Sequence, residues 1–212
     1  MSKNSITSTV VEKIGSTTSI LVAGTFYAVL CYQRDAFMVS FFVGAISNGI
    51  LSKVLKKVLK QSRPAELDAS SMELAPSDNG MPSSHAMSLG FICTFTALTL
   101  PATTLPLLTY TLISLKYRIQ TNLHSFEQIA VGAVVGSLNG ALWWQLCTGT
   151  NNPGRINIVD WVSASPIIDS QTGLLRWYLL SVPALVGAAV VGSVERRLAR
   201  YFSNKKADGK AM

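Results

Sequence analysis

The sequence predicts an all-α, polytopic membrane protein, a bundle of six transmembrane helices. Three observations predict it. Only 14% of the 212 residues are charged, and the mean hydropathy is +0.35, which is too apolar for an ordinary soluble domain. Six apolar segments follow one another, separated by polar or proline-containing breaks. The lysines and arginines behind the net charge of +7 gather near the ends of those segments, as cations flanking membrane helices do. No soluble basic domain with aromatic platforms is present, which speaks against a nucleic-acid partner. The partner this composition implies is the lipid bilayer.

Residues 1–19 read as a polar, Ser/Thr-rich tail. A shortened organelle-targeting segment is the alternative, disfavoured because such segments are Arg-rich and this stretch has no arginine. Residues 20–200 form the membrane domain, and residues 201–212 a basic tail. The first apolar segment, Ile20–Tyr32, is short unless its Ser/Thr-rich flank also enters the bilayer. The second, Ala36–Leu59, carries Lys53, Lys56, Lys57 and Lys60 around its last turns. The third, Ala86–Leu100, begins behind His85. A very short hairpin at Thr103-Thr104, bounded by Pro101 and Pro106, leads to the fourth, Leu105–Leu115. The fifth is Ile129–Cys147, with Trp143 and Trp144 near its far end as interfacial anchors. The sixth is Trp177–Val194, with Arg176 before it and Glu195-Arg196-Arg197 after it.

A span needs about 20 apolar residues, so segments one, three and four are marginal. Gly132, Gly136 and Gly140 recur every fourth residue in segment five. Small residues at that spacing let helices approach closely in a bilayer, and packing is preferred over a substrate groove. Cys31, Cys93 and Cys147 all lie in apolar stretches without a Cys-x2-Cys pair. They read as small buried hydrophobes, not as a disulfide framework or a zinc site. The polar stretch Asn151–Ser170 carries no evident chemistry.

The chemistry concentrates at Gly80-Met81-Pro82-Ser83-Ser84-His85. Gly80 permits a turn, Pro82 fixes a φ angle, and a donor-rich turn opening a helix suits an anion. The only other histidine is His124, in Arg118-x5-His124 before segment five. Upstream, Lys56-x6-Arg63-Pro64 closes segment two. A lone Lys or Arg at a helix end commonly snorkels to the interface and means little. Here three cations and both histidines border apolar segments in one ordered pattern.

These three stretches resemble the type 2 phosphatidate phosphatase superfamily. Its pattern is K-x6-R-P, then P-S-G-H, then S-R-x5-H-x3-D. Lys56, Arg63 and Pro64 match, then Pro82, Ser83 and His85, then Arg118 and His124. Ser84 stands where the family has glycine, Tyr117 where it has serine, and Gln128 where it has the final aspartate. The Pro-Ser-Ser-His and His-x3-Gln versions resemble the branch that holds dolichyl diphosphatases and the epsilon-type plastid lipid phosphate phosphatases. The wording of Gly80–Ser88 and Leu123–Ser137 resembles the plastid enzymes in particular. The resemblance covers about residues 36–140 and implies a six-helix fold of the phosphatase/haloperoxidase type. The soluble vanadate-dependent haloperoxidases of that superfamily are disfavoured by the membrane composition.

The resemblance implies an integral-membrane lipid phosphate phosphatase acting on phosphatidate, in the plastid inner envelope or the endoplasmic reticulum. A polyprenyl or dolichyl diphosphate phosphatase is the alternative; a catalytically dead lipid-binding scaffold is a third reading, from another class. Lys56, Arg63, Ser83, Ser84 and Arg118 would bind phosphate, His124 would attack phosphorus, and His85 would protonate the leaving oxygen. Arginine forks suit phosphate oxygens. No cofactor is implied. Nor is a metal, because the three cations take its place, both imidazoles are committed, and no acidic cluster recurs at metal spacing. Gln128 would orient His124 in place of the missing aspartate, with Glu127 as the competitor for that role. The polar insert Leu67–Asn79, with Asp68, Glu73 and Asp78, reads as a solvated loop, or as an acidic rim tuning head-group access.

Six crossings would put both tails and all three motif loops on one side. That side then holds 15 of the 18 lysines and arginines, and only Arg34, Arg155 and Arg176 fall opposite. The positive-inside rule predicts a cytoplasmic or stromal site. A Ser71→Cys variant should react with membrane-impermeant thiol reagents only from that side of sealed vesicles. Labelling from the other side would reverse the topology.

Overall fold

The computed structural model describes residues 3–64, 79–149, 157–185, 187–189 and 192. Helices dominate: α1 (Lys3–Gln33), α2 (Ala36–Leu59), α3 (Ser84–Thr99), α4 (Thr104–Gln120), α5 (Phe126–Thr148), the short α6 (Ile158–Ser163) and α7 (Trp177–Ala189). Among the described residues no strand forms; an isolated bridge from Asp35 to Leu174 ties the α6–α7 connection to the α1–α2 turn, and a second, Ile168 to Leu175, closes within that connection. Lys13–Gln33, α2 and α5 are long and apolar enough to cross a membrane. The 16-residue α3 and the 17-residue α4 are about 24 and about 26 Å long, close to a hydrocarbon core of about 30 Å. The far end of the sixth segment, the acidic insert up to Asp78 and the basic tail lie outside the described residues.

The start of the chain departs from the sequence reading. The helix expected from Ile20 begins at Lys3. Hydroxyls that would resist a helix fold back onto it: Thr17 and Thr18 donate to the carbonyls of Lys13 and Ile14, each at 2.7 Å. Thr18 also meets Ser114 of α4 at 2.8 Å in a buried pair. Gly15 leaves room for the Tyr117 ring, on which a β-carbon would fall. The Ser/Thr stretch therefore packs against α4.

The glycine stripe of α5 packs on α3. β-Carbons at Gly132 and Gly140 would lie 2.7 and 2.6 Å from the carbonyl oxygens of Ser83 and Phe91, and one at Gly136 would strike Met87. Ser83, Met87 and Phe91 are themselves spaced by four, so two stripes mesh and fix the height of Ser83 against α5. Trp143 is an interhelical wedge: its indole seats against Gly44 and donates to the Ser40 carbonyl at 2.9 Å. Asn139 donates to Asn48 at 3.0 Å across α5 and α2, a polar bond of the kind that joins membrane helices. Toward the end away from the motif loops, Phe41, Phe91 and Phe95 stack, with Phe41 and Phe95 at 4.2 Å, and Phe37 packs tilted against Phe95. At that end Arg34 lies over the Trp177 ring at 3.6 Å.

Candidate active site

The three motifs meet at the end of the bundle where α2 and α4 finish and α3 and α5 begin. Lys60 closes α2 in the left-handed region at φ 49°, which turns Gln61–Pro64 back across the bundle. The strand of chain entering α3 is laced to it. Gly80 N–H donates to the Gln61 carbonyl at 2.7 Å, and Asn79 Nδ2 to the Lys56 carbonyl at 2.9 Å. Met81-Pro82 is a cis peptide. Ser125 caps α5 with a capping box, its hydroxyl accepting from Gln128 N–H and its own N–H reaching Gln128 Oε1, both at 3.3 Å.

His124 is buried in the α4–α5 connection. Its Nδ1 lies 3.2 Å from Gln128 Oε1. The Gln128 amide is oriented from its other side, where Nε2 donates to the Ser62 carbonyl at 2.8 Å and to Gln61 Oε1 at 3.4 Å. An amide oxygen only accepts, so Nδ1 carries the proton. His124 Nε2 lies 3.2 Å from Arg63 Nη1. A guanidinium only donates, so Nε2 carries the lone pair. Both neighbours impose one neutral tautomer. Burial, and then the charge of Arg63, lower the His124 pKa to about 4; the Gln128 bond opposes them, and Lys56 and Arg118 add to the lowering.

Glu127 is exposed and stands outside this arrangement. The helical spacing that would bring it onto the face of His124 does not operate, because His124 precedes the Ser125 cap.

Arg63 Nη1 also donates to the Leu123 carbonyl at 2.8 Å, and Lys56 Nζ to the Asn79 carbonyl at 2.7 Å. Arg118 sits in the last turn of α4, its Nη2 3.4 Å from the Gly15 carbonyl. The charges of all three cations act on both histidines. Among the described residues, the buried side-chain atoms without a hydrogen-bond partner include Ser83 Oγ and Arg118 Nε at the site, besides the Tyr110 and Thr111 hydroxyls of α4. Buried polar groups are normally satisfied, and the two at the site suit an anion's oxygens. The turn before α3 offers fewer amides than its sequence suggests, because Ser83 N–H donates to the Gln128 carbonyl at 3.1 Å. The Ser84 hydroxyl is engaged by Ser52 at 2.8 Å.

His85, in the first turn of α3, meets α1: Ser19 Oγ lies 2.9 Å from His85 Nε2. A cavity of about 490 Å³ runs from these residues between α1, α2, α3 and α7. Ser19, Ser84 and His85 line it together with Val22, Phe26, Phe42, Ile46, Phe91 and Ile92. The cavity has a polar end at His85 and an apolar body. Among the described residues no three His, Cys, Asp or Glu side chains converge.

The profile of the PAP2 superfamily matches residues 37–151, from the start of α2 to just past α5. The chain belongs to the PAP2 superfamily. It is 34% identical over 134 residues to lipid phosphate phosphatase epsilon 2, chloroplastic, of Arabidopsis thaliana, covering 58% of this chain and 44% of that protein. Epsilon 1 of the same plant is also 34% identical, over 59% of this chain and 46% of its own length. The dolichyldiphosphatase of Saccharomyces cerevisiae is 28% identical over 61% of this chain and 59% of that protein. The chain spans about half the length of the curated relatives it matches. No solved structure matches. The superfamily match takes in every residue of the three motifs but leaves out α1, and with it Gly15, Thr18 and Ser19.

Sequence reasoning overlooked Ser52, Gln61, Asn79 and Ser125, which position the site, and Ser19, which touches it. Ser125-x-x-Gln128 is a capping-box signature that the sequence displays. The contacts of Ser19 and Ser52 join segments far apart in the chain, and no local pattern announces them.

Proposed function

We propose that this PAP2-superfamily chain is a membrane lipid phosphate phosphatase that hydrolyses phosphatidate to diacylglycerol and phosphate through a phosphohistidine on His124. The observation that carries this reading is the doubly constrained imidazole, with Nδ1–H on Gln128 and the Nε2 lone pair beside Arg63. A phosphoryl group entering between Nε2 and Arg63 meets a nucleophile on one side and a guanidinium fork on the other. Lys56, Arg118 and the Ser83 hydroxyl supply further charge and donors for the remaining oxygens.

In the first step Nε2 gives its lone pair to phosphorus. The P–O bond to the lipid breaks, and the departing oxygen takes a proton from His85. In the second step a water oxygen attacks phosphorus, its proton passes to His85, and the N–P bond breaks with its electron pair returning to Nε2. Ester and water become alcohol and phosphate, and both histidines are regenerated. No step draws on a metal.

The apolar cavity beside His85 supports a leaving group with a long hydrocarbon body. A polyprenyl diphosphate also has one, and the likeness to the yeast dolichyldiphosphatase supports this second reading. Purified protein in detergent micelles should release phosphate from phosphatidate faster than from a polyprenyl diphosphate. Release should persist in EDTA and fall with vanadate, a mimic of five-coordinate phosphorus. Faster release from the polyprenyl diphosphate would assign the second substrate class. No release from either would favour a binding or scaffolding role. The chloroplastic relatives support a plastid envelope, and the yeast relative the endoplasmic reticulum as the alternative.

A further inference from the structure

We infer that Ser19 of α1 is a positioning residue for His85, which makes the first helix part of the reaction centre; the inference rests on the reading of His85 as the leaving-group acid. Ser19 Oγ is 2.9 Å from His85 Nε2, and both residues line the apolar cavity. A hydroxyl suits this place because it accepts from Nε2–H both when the ring is an imidazolium and when it is neutral. The proton that moves is then the one on Nδ1, given to the leaving oxygen in the first step and taken back from water in the second. One side chain therefore holds the ring in the acid half of the reaction and in the base half. Alanine would do neither.

The backbone around Ser19 is built to present it. Thr18 is anchored to Ser114 and Gly15 is pressed against Tyr117, which locks the turn of α1 that carries Ser19. The Gly15 carbonyl, one turn earlier, accepts from Arg118. The same helix thus touches the proposed acid and one of the cations. Tyr117, which stands where the family pattern has serine, is the residue that fills the Gly15 notch.

The test compares two lipid esters that share a phosphate and differ in leaving group, one an alkyl alcohol and one a nitrophenol. An alkoxide needs its proton, whereas nitrophenolate leaves without one. The parameter is kcat/KM, which reports steps up to phosphoenzyme formation. Ser19→Ala should lower kcat/KM for the alkyl ester about 10- to 100-fold, the loss of one charge-assisted hydrogen bond. For the nitrophenyl ester it should stay within about threefold. Ser19→Thr keeps the hydroxyl and should restore most of the alkyl rate. A uniform loss on both esters, or no loss on either, would overturn the inference. His85→Ala measured alongside separates the two readings: if it spares the alkyl ester, His85 is not the acid; if it cripples the alkyl ester while Ser19→Ala does not, only the role of Ser19 falls.

Discussion

His124→Ala is expected to abolish turnover of phosphatidate, with a loss on the order of 10⁵-fold or more, the scale seen when a covalent nucleophile is removed. The cations and the Ser83 hydroxyl would still bind phosphate, so the variant should retain affinity for substrate while losing kcat. The pH dependence follows from the site. His124 has its pKa lowered to about 4 by burial and by Arg63. Above that pH the ring is neutral and Nε2 keeps its lone pair. The acid limb of kcat/KM between pH 5 and 8 should therefore not report this histidine, and protonation of His124 should cut the rate only as pH falls toward about 4. An NMR titration of the His124 ring with a midpoint near 6.5 would contradict this environment.

The second large effect is expected at Gln128. Its amide oxygen accepts from His124 Nδ1, its Nε2 donates to the Ser62 carbonyl, and its backbone carbonyl takes the Ser83 N–H. One residue thus joins the loop after α2, the turn before α3 and the start of α5. Gln128→Ala removes the side-chain part of this and should lower kcat about 10- to 100-fold. Glu127→Gln should change kcat by less than about twofold, since Glu127 is exposed. Gln128→Glu places a carboxylate against Nδ1, which favours the imidazolium. The acid limb should then move to higher pH. The same change sets an oxygen against the Ser62 carbonyl, so the loop after α2 should loosen and KM should rise. A Glu127→Gln variant more damaging than Gln128→Ala would move the orienting role to Glu127.

The sequence displayed the chemistry more fully than the architecture around it. Lys56, Arg63, His85, Arg118 and His124 each stand next to an apolar run, so chain order alone suggested that they could meet at one end of a bundle. The glycine stripe announced a close helix contact, and the α3 carbonyls it meets have the same four-residue spacing. The early start of α1 was hidden because Ser and Thr lower helix propensity and hydropathy, while here their hydroxyls are absorbed by the helix's own carbonyls. Ser19 was hidden with it. Trp143 lies near a segment end, and only the notch at Gly44 reveals its wedging against α2. The Ser83 amide seemed available in the sequence; its engagement by the Gln128 carbonyl is a long-range contact. Glu127 and Gln128 looked equivalent under helical spacing, and the position of the Ser125 cap separates them.

The central claim is a metal-independent phosphohistidine on His124. Purified protein would be mixed with phosphatidate carrying ³²P in its head group, in EDTA, and quenched in alkaline detergent within milliseconds, conditions under which a phosphorus–nitrogen bond survives. The account predicts a burst of protein-bound ³²P that is acid-labile, is absent in His124→Ala, and decays more slowly in His85→Ala. Phosphate release without any labelled protein, or label that survives in His124→Ala, would contradict it.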